Sequence, residues 1–149
     1  MNAAHRVSRQ QGAAAVEFAL IASLLFMLLF GVIEMGRLLW SWNAAVEATR
    51  YGARLAVVCD LSTSSQSLIK TKMITRLAVL ASSNIVITYS PTTGGVACTA
   101  ATCTSVSVAL TGYTYKTIIP FVPLSLTLPA FGTTLRKEAM SSTNNEICQ

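Results

Sequence analysis

The longest run of apolar residues lies near the start of the chain and reads AAAVEFALIASLLFMLLFGVI, from Ala13 to Ile33. As an α-helix rising about 1.5 Å per residue, such a run spans roughly 30 Å, the hydrocarbon thickness of a bilayer. Glu17 is its only charged residue. Because a core helix of a soluble protein rarely runs this long without a polar face, the pattern predicts a transmembrane helix.

Helical periodicity continues beyond the apolar run. No proline occurs between Glu34 and Val58, and apolar or small residues recur in steps of four and three: Leu38, Trp42, Ala45, Thr49, Gly52 and Ala56. This stripe indicates a face that packs against the rest of the domain. We predict one helix from about Ala13 to Val58. Two ion pairs between residues three apart are expected on its outer faces, Glu34 with Arg37 and Glu47 with Arg50. Trp40 and Trp42 are expected near the membrane interface.

Shorter elements follow Cys59. LSTSSQS is a polar break with candidate N-cap residues, and LIKTKMITRLAVLAS has an apolar side that predicts a second, amphipathic helix. That side consists of Leu68, Ile69, Met73, Ile74, Leu77 and Leu80.

The last third of the chain favours strands. Alternating, β-branched patterns predict strands at Asn84–Ser90 and Thr104–Tyr115, with a PTTGG turn between them and a bulge or hairpin turn at Gly112. Ile118–Phe131 has three prolines among large apolar residues, which suggests a loop crossing the sheet end or an exposed contact surface. Thr133–Ser142 fits a last strand or a short helix, and we favour the strand.

These elements predict an α+β fold. A long N-terminal transmembrane α-helix packs on a small antiparallel β-sheet, with a second short helix, because a sheet would bury the stripe at residues 38–56.

Four cysteines follow the apolar run, which indicates two disulfides in an oxidising compartment. Of the three possible pairings, the short loop between Cys98 and Cys103 makes that bond the simplest, which leaves Cys59 with Cys148. A zinc site is the weaker alternative, because only one loose cysteine pair is present.

The composition of the chain argues against several classes of function. Only 11% of residues are charged, against about 25% in ordinary soluble domains. The net charge of +5 comes from scattered basic residues, which argues against nucleic-acid binding. The only histidine is His5, before the apolar run, so histidine-based catalytic schemes have no base. We therefore predict neither an enzyme nor a cofactor or metal.

The segment GAAAVEF around Glu17 carries the main functional signal. Basic residues before the apolar run place the N-terminus in the cytoplasm. Glu17 alone fits an acid that reaches back to the cytoplasmic interface. Cleavage after Gly12 would instead give Ala13 a free α-amino group, which could neutralise Glu17 of a neighbouring chain where small alanines allow close packing.

Residues 9–58 resemble the TadE-like group of minor pseudopilins from the Tad/Flp tight-adherence pilus system. The matching features are the leader glycine at Gly12, Glu17 followed by aromatic Phe18, and two later groups of residues. These groups are Gly31, Ile33, Glu34, Gly36 and Arg37, then Ala45, Ala48, Arg50, Gly52, Ala53 and Arg54.

The resemblance implies a processed, membrane-anchored subunit. Residues 1–12 would be a cytoplasmic leader removed by a prepilin peptidase, 13–33 the transmembrane half of the helix, 34–58 its periplasmic half and 59–149 a periplasmic domain. Implied partners are other pilin and pseudopilin subunits, the peptidase, an inner-membrane assembly platform and the lipid bilayer. The implied role is pilus assembly for surface adhesion and biofilm formation.

Two alternatives remain open. A non-polymerising, membrane-anchored binding protein would keep the helix as a permanent anchor and use Ile118–Phe131 as a partner surface. A secreted protein with an ordinary signal peptide fits less well, because the span is long for such a signal and no clear cleavage site follows it before Trp40.

Overall fold

A computed structural model describes the backbone of residues 4–91, 98–119 and 123–148, and the side chains of those residues from Gly12 onward. Most of the predicted PTTGG turn lies outside the described residues. Two helices, five strands and two short 3-10 turns at Ser82–Asn84 and Glu146–Cys148 make up the described fold, which is α+β as predicted.

The first helix, α1, runs unbroken over Ala4–Val58. Its end agrees with the prediction, but it begins nine residues before Ala13. The residues before Gly12 include alanine, arginine and glutamine, which favour helix and do not stop it.

The second helix, α2, spans Thr63–Arg76 and so begins and ends earlier than predicted. The serine-rich stretch is the start of the helix: the Ser62 hydroxyl accepts a hydrogen bond from the Ser65 amide at 3.2 Å, which satisfies one free donor of the first turn. Ile69 and Met73 are buried from α2, whereas Leu77 and Leu80 are buried after the helix has ended.

Three antiparallel strands form the main sheet in the order β1–β2–β5. They are β1 at Ile85–Pro91, β2 at Cys103–Leu110 and β5 at Phe131–Arg136. β1 confirms the first predicted strand. The predicted last strand is confirmed to Arg136 and wrong beyond it. The Lys137 amide still donates to Thr104, but the next amides, at Glu138 and Met140, donate to the Val57 carbonyl of α1.

A separate two-stranded sheet pairs β3, Thr114–Lys116, with β4, Ser125–Thr127. The predicted strand at Thr104–Tyr115 is therefore confirmed as far as Leu110, and it is wrong as one continuous strand. Gly112 has φ +64, a left-handed conformation that suits glycine, and it separates β2 from β3, which belong to different sheets. The region Ile118–Phe131 is not all loop, since it contains β4 and the first residue of β5.

The predicted stripe on α1 is the face that the domain covers. Ala45, Thr49 and Ala56 are almost completely buried, against α2 on one side and strands β2 and β5 on the other. Leu38 and Trp42 are partly covered by the same core. The Trp42 ring stacks on Phe131 with centroids 5.1 Å apart, so Trp42 packs within the domain, whereas Trp40 is exposed.

Candidate functional site

The apolar half of α1 has no cover within the chain. The most apolar stretch of the helix has a mean hydropathy of 2.5, and none of it is buried. Phe18, Leu24 and Met27 are each at least two-thirds exposed. An apolar surface of this length requires lipid or other apolar chains around it, so α1 supplies one helix suited to anchoring the protein in a membrane.

The predicted cleavage and assembly residues lie on this uncovered half. Gly12, Ala13, Glu17 and Phe18 are all exposed and belong to one unbroken helix. A side chain at Gly12 would have no atom within 4 Å. Ala13 and Glu17 are four residues apart and therefore lie on the same face, one turn apart.

Glu17 differs from the other acids of α1 in its surroundings. Within the described part of the chain, Glu34 pairs with Arg37 and Glu47 with Arg50, and Glu17 takes part in neither pair. A carboxylate placed in an apolar helix surface without a cation is unfavourable in lipid.

Sequence analysis missed a cluster at the other end of the apolar run. The Tyr115 hydroxyl of β3 donates to Glu34 Oε1 at 2.6 Å, and Arg37 donates to both carboxylate oxygens at 3.0 and 3.1 Å. The Arg37 guanidinium also lies 5.6 Å from the Tyr115 ring centroid. Glu34 is thus not on an outer face as predicted: its side chain is only 13% exposed.

This cluster is built to stay intact at neutral pH. Burial raises the pKa of the Tyr115 hydroxyl above its ordinary value, and the hydrogen bond to Glu34 raises it further. The phenol therefore remains a donor. The spacing of Glu34 and Arg37 identified their ion pair, but Tyr115 is 81 residues away from Glu34 in sequence, and no local signal points to it.

Two disulfides brace the domain away from the apolar run. Cys59 bonds to Cys148 across 89 residues, and Cys98 bonds to Cys103 across 5. These are the simplest of the three pairings. The long-range bond joins the end of α1 to the C-terminal 3-10 turn, where the Ile147 carbonyl also accepts a hydrogen bond from the Lys72 ammonium.

Asp60, just after Cys59, has a structural part in this corner. The Ser62 hydroxyl and amide donate to its carboxylate. These hydrogen bonds, the hydroxyl's first, lower the pKa of Asp60 to about 2. A carboxylate that stays ionised and is occupied by neighbouring serines does not provide a general acid or base.

The best-formed cavities on the described surface are open grooves rather than enclosed pockets. A shallow groove of about 530 Å³ along α1 includes Glu47, Arg50, Tyr51, Arg54 and Arg76, and the Arg76 guanidinium stacks over Tyr51 at 4.5 Å. Among the residues that the structure describes, no group of three or more His, Cys, Asp or Glu side chains is placed to hold a metal ion.

The fold and the bare half of α1 define the class of protein, an α+β domain carried on a membrane-anchoring helix. Residues 12–54 match the family model described as TadE-like protein, so the resemblance found from Gly12 onward is confirmed and the chain carries a TadE-like segment. The match lies entirely within α1. Comparisons with curated proteins and with solved structures give no match.

The matched segment begins at Gly12, includes Glu17 and Phe18, and continues through the stripe that the domain covers. The family match therefore falls on both halves of α1, the uncovered half and the half that carries the domain.

Proposed function

We propose that this chain is a minor pilin or pseudopilin that takes part in assembling a Tad/Flp-type pilus for surface adhesion and biofilm formation. In this proposal it is not an enzyme. A prepilin peptidase removes residues 1–12, α1 anchors the mature chain in the inner membrane, and the disulfide-braced domain lies in the periplasm. Its partners are other pilin subunits and the inner-membrane assembly platform.

The observation that carries the proposal is the uncovered half of α1 with its single acid. A helix that only anchors a domain gains nothing from Glu17, because a charge in lipid is unfavourable. A helix that packs side by side with identical or related helices can use it: after cleavage, the Ala13 α-ammonium of one chain meets Glu17 of the next. The small side chains of Ala13, Ala14 and Ala15 allow that approach.

Two disulfides support the proposed periplasmic position, since such bonds form and persist in oxidising compartments. The basic residues before Gly12 and the absence of acids there favour a cytoplasmic N-terminus. Together these features support an orientation of α1 with Glu17 near the cytoplasmic side and Glu34 near the periplasmic side.

Glu17→Ala should spare membrane insertion and reduce assembly. The substitution removes the acid that pairs with the incoming amine, and a loss of only about 1.4 kcal/mol per contact is tenfold in binding. We expect the number of pili, counted by electron microscopy in cells whose own copy is replaced by the variant, to fall by about tenfold or more. Membrane fractionation should show an unchanged amount of protein.

Glu47→Ala is the matched control, because Glu47 is an exposed acid of the same helix whose pair with Arg50 lies at the surface. It should leave pilus number unchanged, since exposed ion pairs contribute little. Unchanged pilus number in Glu17→Ala would refute the assigned role. If pili sheared from parent cells do not contain this chain, the result would favour the anchored, non-polymerising protein.

A further inference from the structure

The β3–β4 hairpin lies at the end of the domain nearest the apolar half of α1. Four contacts between the C-terminal half of the chain and α1 follow one another along the helix toward its apolar half. In that order the pairs are Glu138 with Val57, Thr133 with Thr49, Phe131 with Trp42, and Tyr115 with Glu34. From Val57 to Glu34 the helix rises about 34 Å. The hairpin is therefore the part of the sheet region closest to the membrane span.

Glu34 determines where along α1 the hairpin is attached. It directly follows Ile33, the last residue of the apolar run. The Tyr115 hydroxyl donates to its carboxylate, and the backbone of Ile118 lies close enough to help lower the pKa of Glu34. Ile118 is thus level with the point where the apolar surface of α1 ends.

Beyond this attachment the hairpin presents apolar side chains outward. Ile118, Leu124 and Leu126 are 69%, 58% and 45% exposed, although Leu128, two residues on, is buried. The sequence carries no charge between Lys116 and Arg136. Lys116 is exposed at the start of this stretch, where its ammonium can reach lipid headgroups while its stem lies along apolar surface.

We propose that the β3–β4 hairpin inserts Ile118, Leu124 and Leu126 into the periplasmic face of the bilayer, as a second membrane contact beside α1. The inference rests on the proposed placement of residues 13–33 in the membrane. Lipid is the occupant because Leu126 pairs with Tyr115, whose hydroxyl reaches Glu34 at the end of the uncovered apolar run. Leu124 lies opposite Thr117, next to Ile118, one step further along the same hairpin. Two contacts in one bilayer fix the orientation of the domain, and the Glu34–Arg37–Tyr115 cluster connects them.

Spin labelling in nanodiscs tests the insertion directly. The four native cysteines are all in disulfides, so a single added cysteine can be labelled without reduction. Ile118→Cys and Leu124→Cys report on the hairpin at two sites. Leu25→Cys reports on the membrane span. Ile147→Cys is the matched control, because Ile147 is an apolar residue about as exposed as Leu124. It lies beside the Cys59–Cys148 bond, at the end of the domain away from the apolar half of α1.

The full-length chain is labelled, reconstituted one copy per phosphatidylcholine nanodisc, and measured by power-saturation EPR with oxygen and with a water-soluble nickel chelate. We expect labels at 118 and 124 to collide more often with oxygen than with the chelate, as at 25, and the label at 147 to show the reverse. Tyr115→Phe, which removes the donor to Glu34, should shift the label at 118 toward the chelate.

The outcomes separate the inference from the proposed function. If the labels at 118 and 124 behave like the one at 147, or are shielded from both reagents, while the label at 25 is in lipid, the hairpin insertion is wrong and the anchor stands. If the label at 25 is itself open to the chelate, the membrane placement of α1 fails, and both proposals fail with it.

Discussion

Replacing both Cys59 and Cys148 by alanine should lower the free energy of unfolding of the domain by about 4–5 kcal/mol. The bond closes a loop of 89 residues, and a disulfide stabilises chiefly by restricting the unfolded chain, more so for longer loops. A small domain has only about 5–15 kcal/mol of stability in total. Most of the folded population should therefore be lost on mild heating.

The second disulfide supplies the control for this expectation. Replacing Cys98 and Cys103 together opens a loop of only 5 residues, so the loss should be about 2 kcal/mol. Both double variants and the parent are compared by chemical denaturation in detergent micelles, followed by near-ultraviolet circular dichroism. Equal losses, or a larger loss for the short loop, would show that loop length does not govern the stability of this domain.

Gly52→Val should destabilise the domain by about 2–3 kcal/mol, the upper part of the range for overpacked cores. A Cβ atom at Gly52 would lie 2.4 Å from the Met73 sulfur, and Met73 is completely buried in the contact between α1 and α2. The two methyl groups of valine must therefore displace Met73 or separate the helices. Thermal unfolding followed by near-ultraviolet circular dichroism measures the loss.

Gly36→Val in the same helix is the matched control. A side chain at Gly36 meets no atom within 4 Å, and the change in helix propensity is the same at both positions. Gly36→Val should leave the unfolding temperature close to that of the parent. Adding Met73→Ala to Gly52→Val should recover part of the loss. Equal effects at the two glycines would contradict the close packing assigned to Gly52.

The two halves of α1 explain why one helix can serve two purposes. Beyond Ile33, its stripe of small residues is covered by α2 and the main sheet, so the helix is part of the domain core. Before Glu34 the same helix carries an apolar surface with no cover of its own. Because α1 is one unbroken helix, the way its uncovered half packs would determine the position of the domain.

Sequence alone predicted those features that depend on neighbours along the chain. The end of α1 and its buried stripe follow from a local period of 3.6 residues. The strand at Ile85–Pro91 follows from alternation over a short run. Gly112 was identified as a special position, but whether it bends a strand or ends it depends on which strands pair, and that is not local information.

Tertiary contacts account for what the sequence did not reveal. Glu34 was assigned to an outer face because its only local partner is Arg37, whereas Tyr115 reaches it from a distant strand. Leu77 and Leu80 fit the helical period of α2 yet are buried from the segment that follows it. The prediction of N-cap residues in the serine-rich stretch is confirmed at Ser62, and only the length of the break was wrong, because serine both starts helices and interrupts them.

The most direct test of the proposed function is the intact mass of the protein, purified from membranes of cells with and without the cognate prepilin peptidase. We predict a peptidase-dependent mass that corresponds to a chain beginning at Ala13. Gly12→Val should leave the full-length mass in both strains, and a Cβ atom added at Gly12 meets no described side chain within 4 Å. A parent chain that retains residues 1–12 with and without the peptidase would deprive Glu17 of its amine partner and contradict the pilin account.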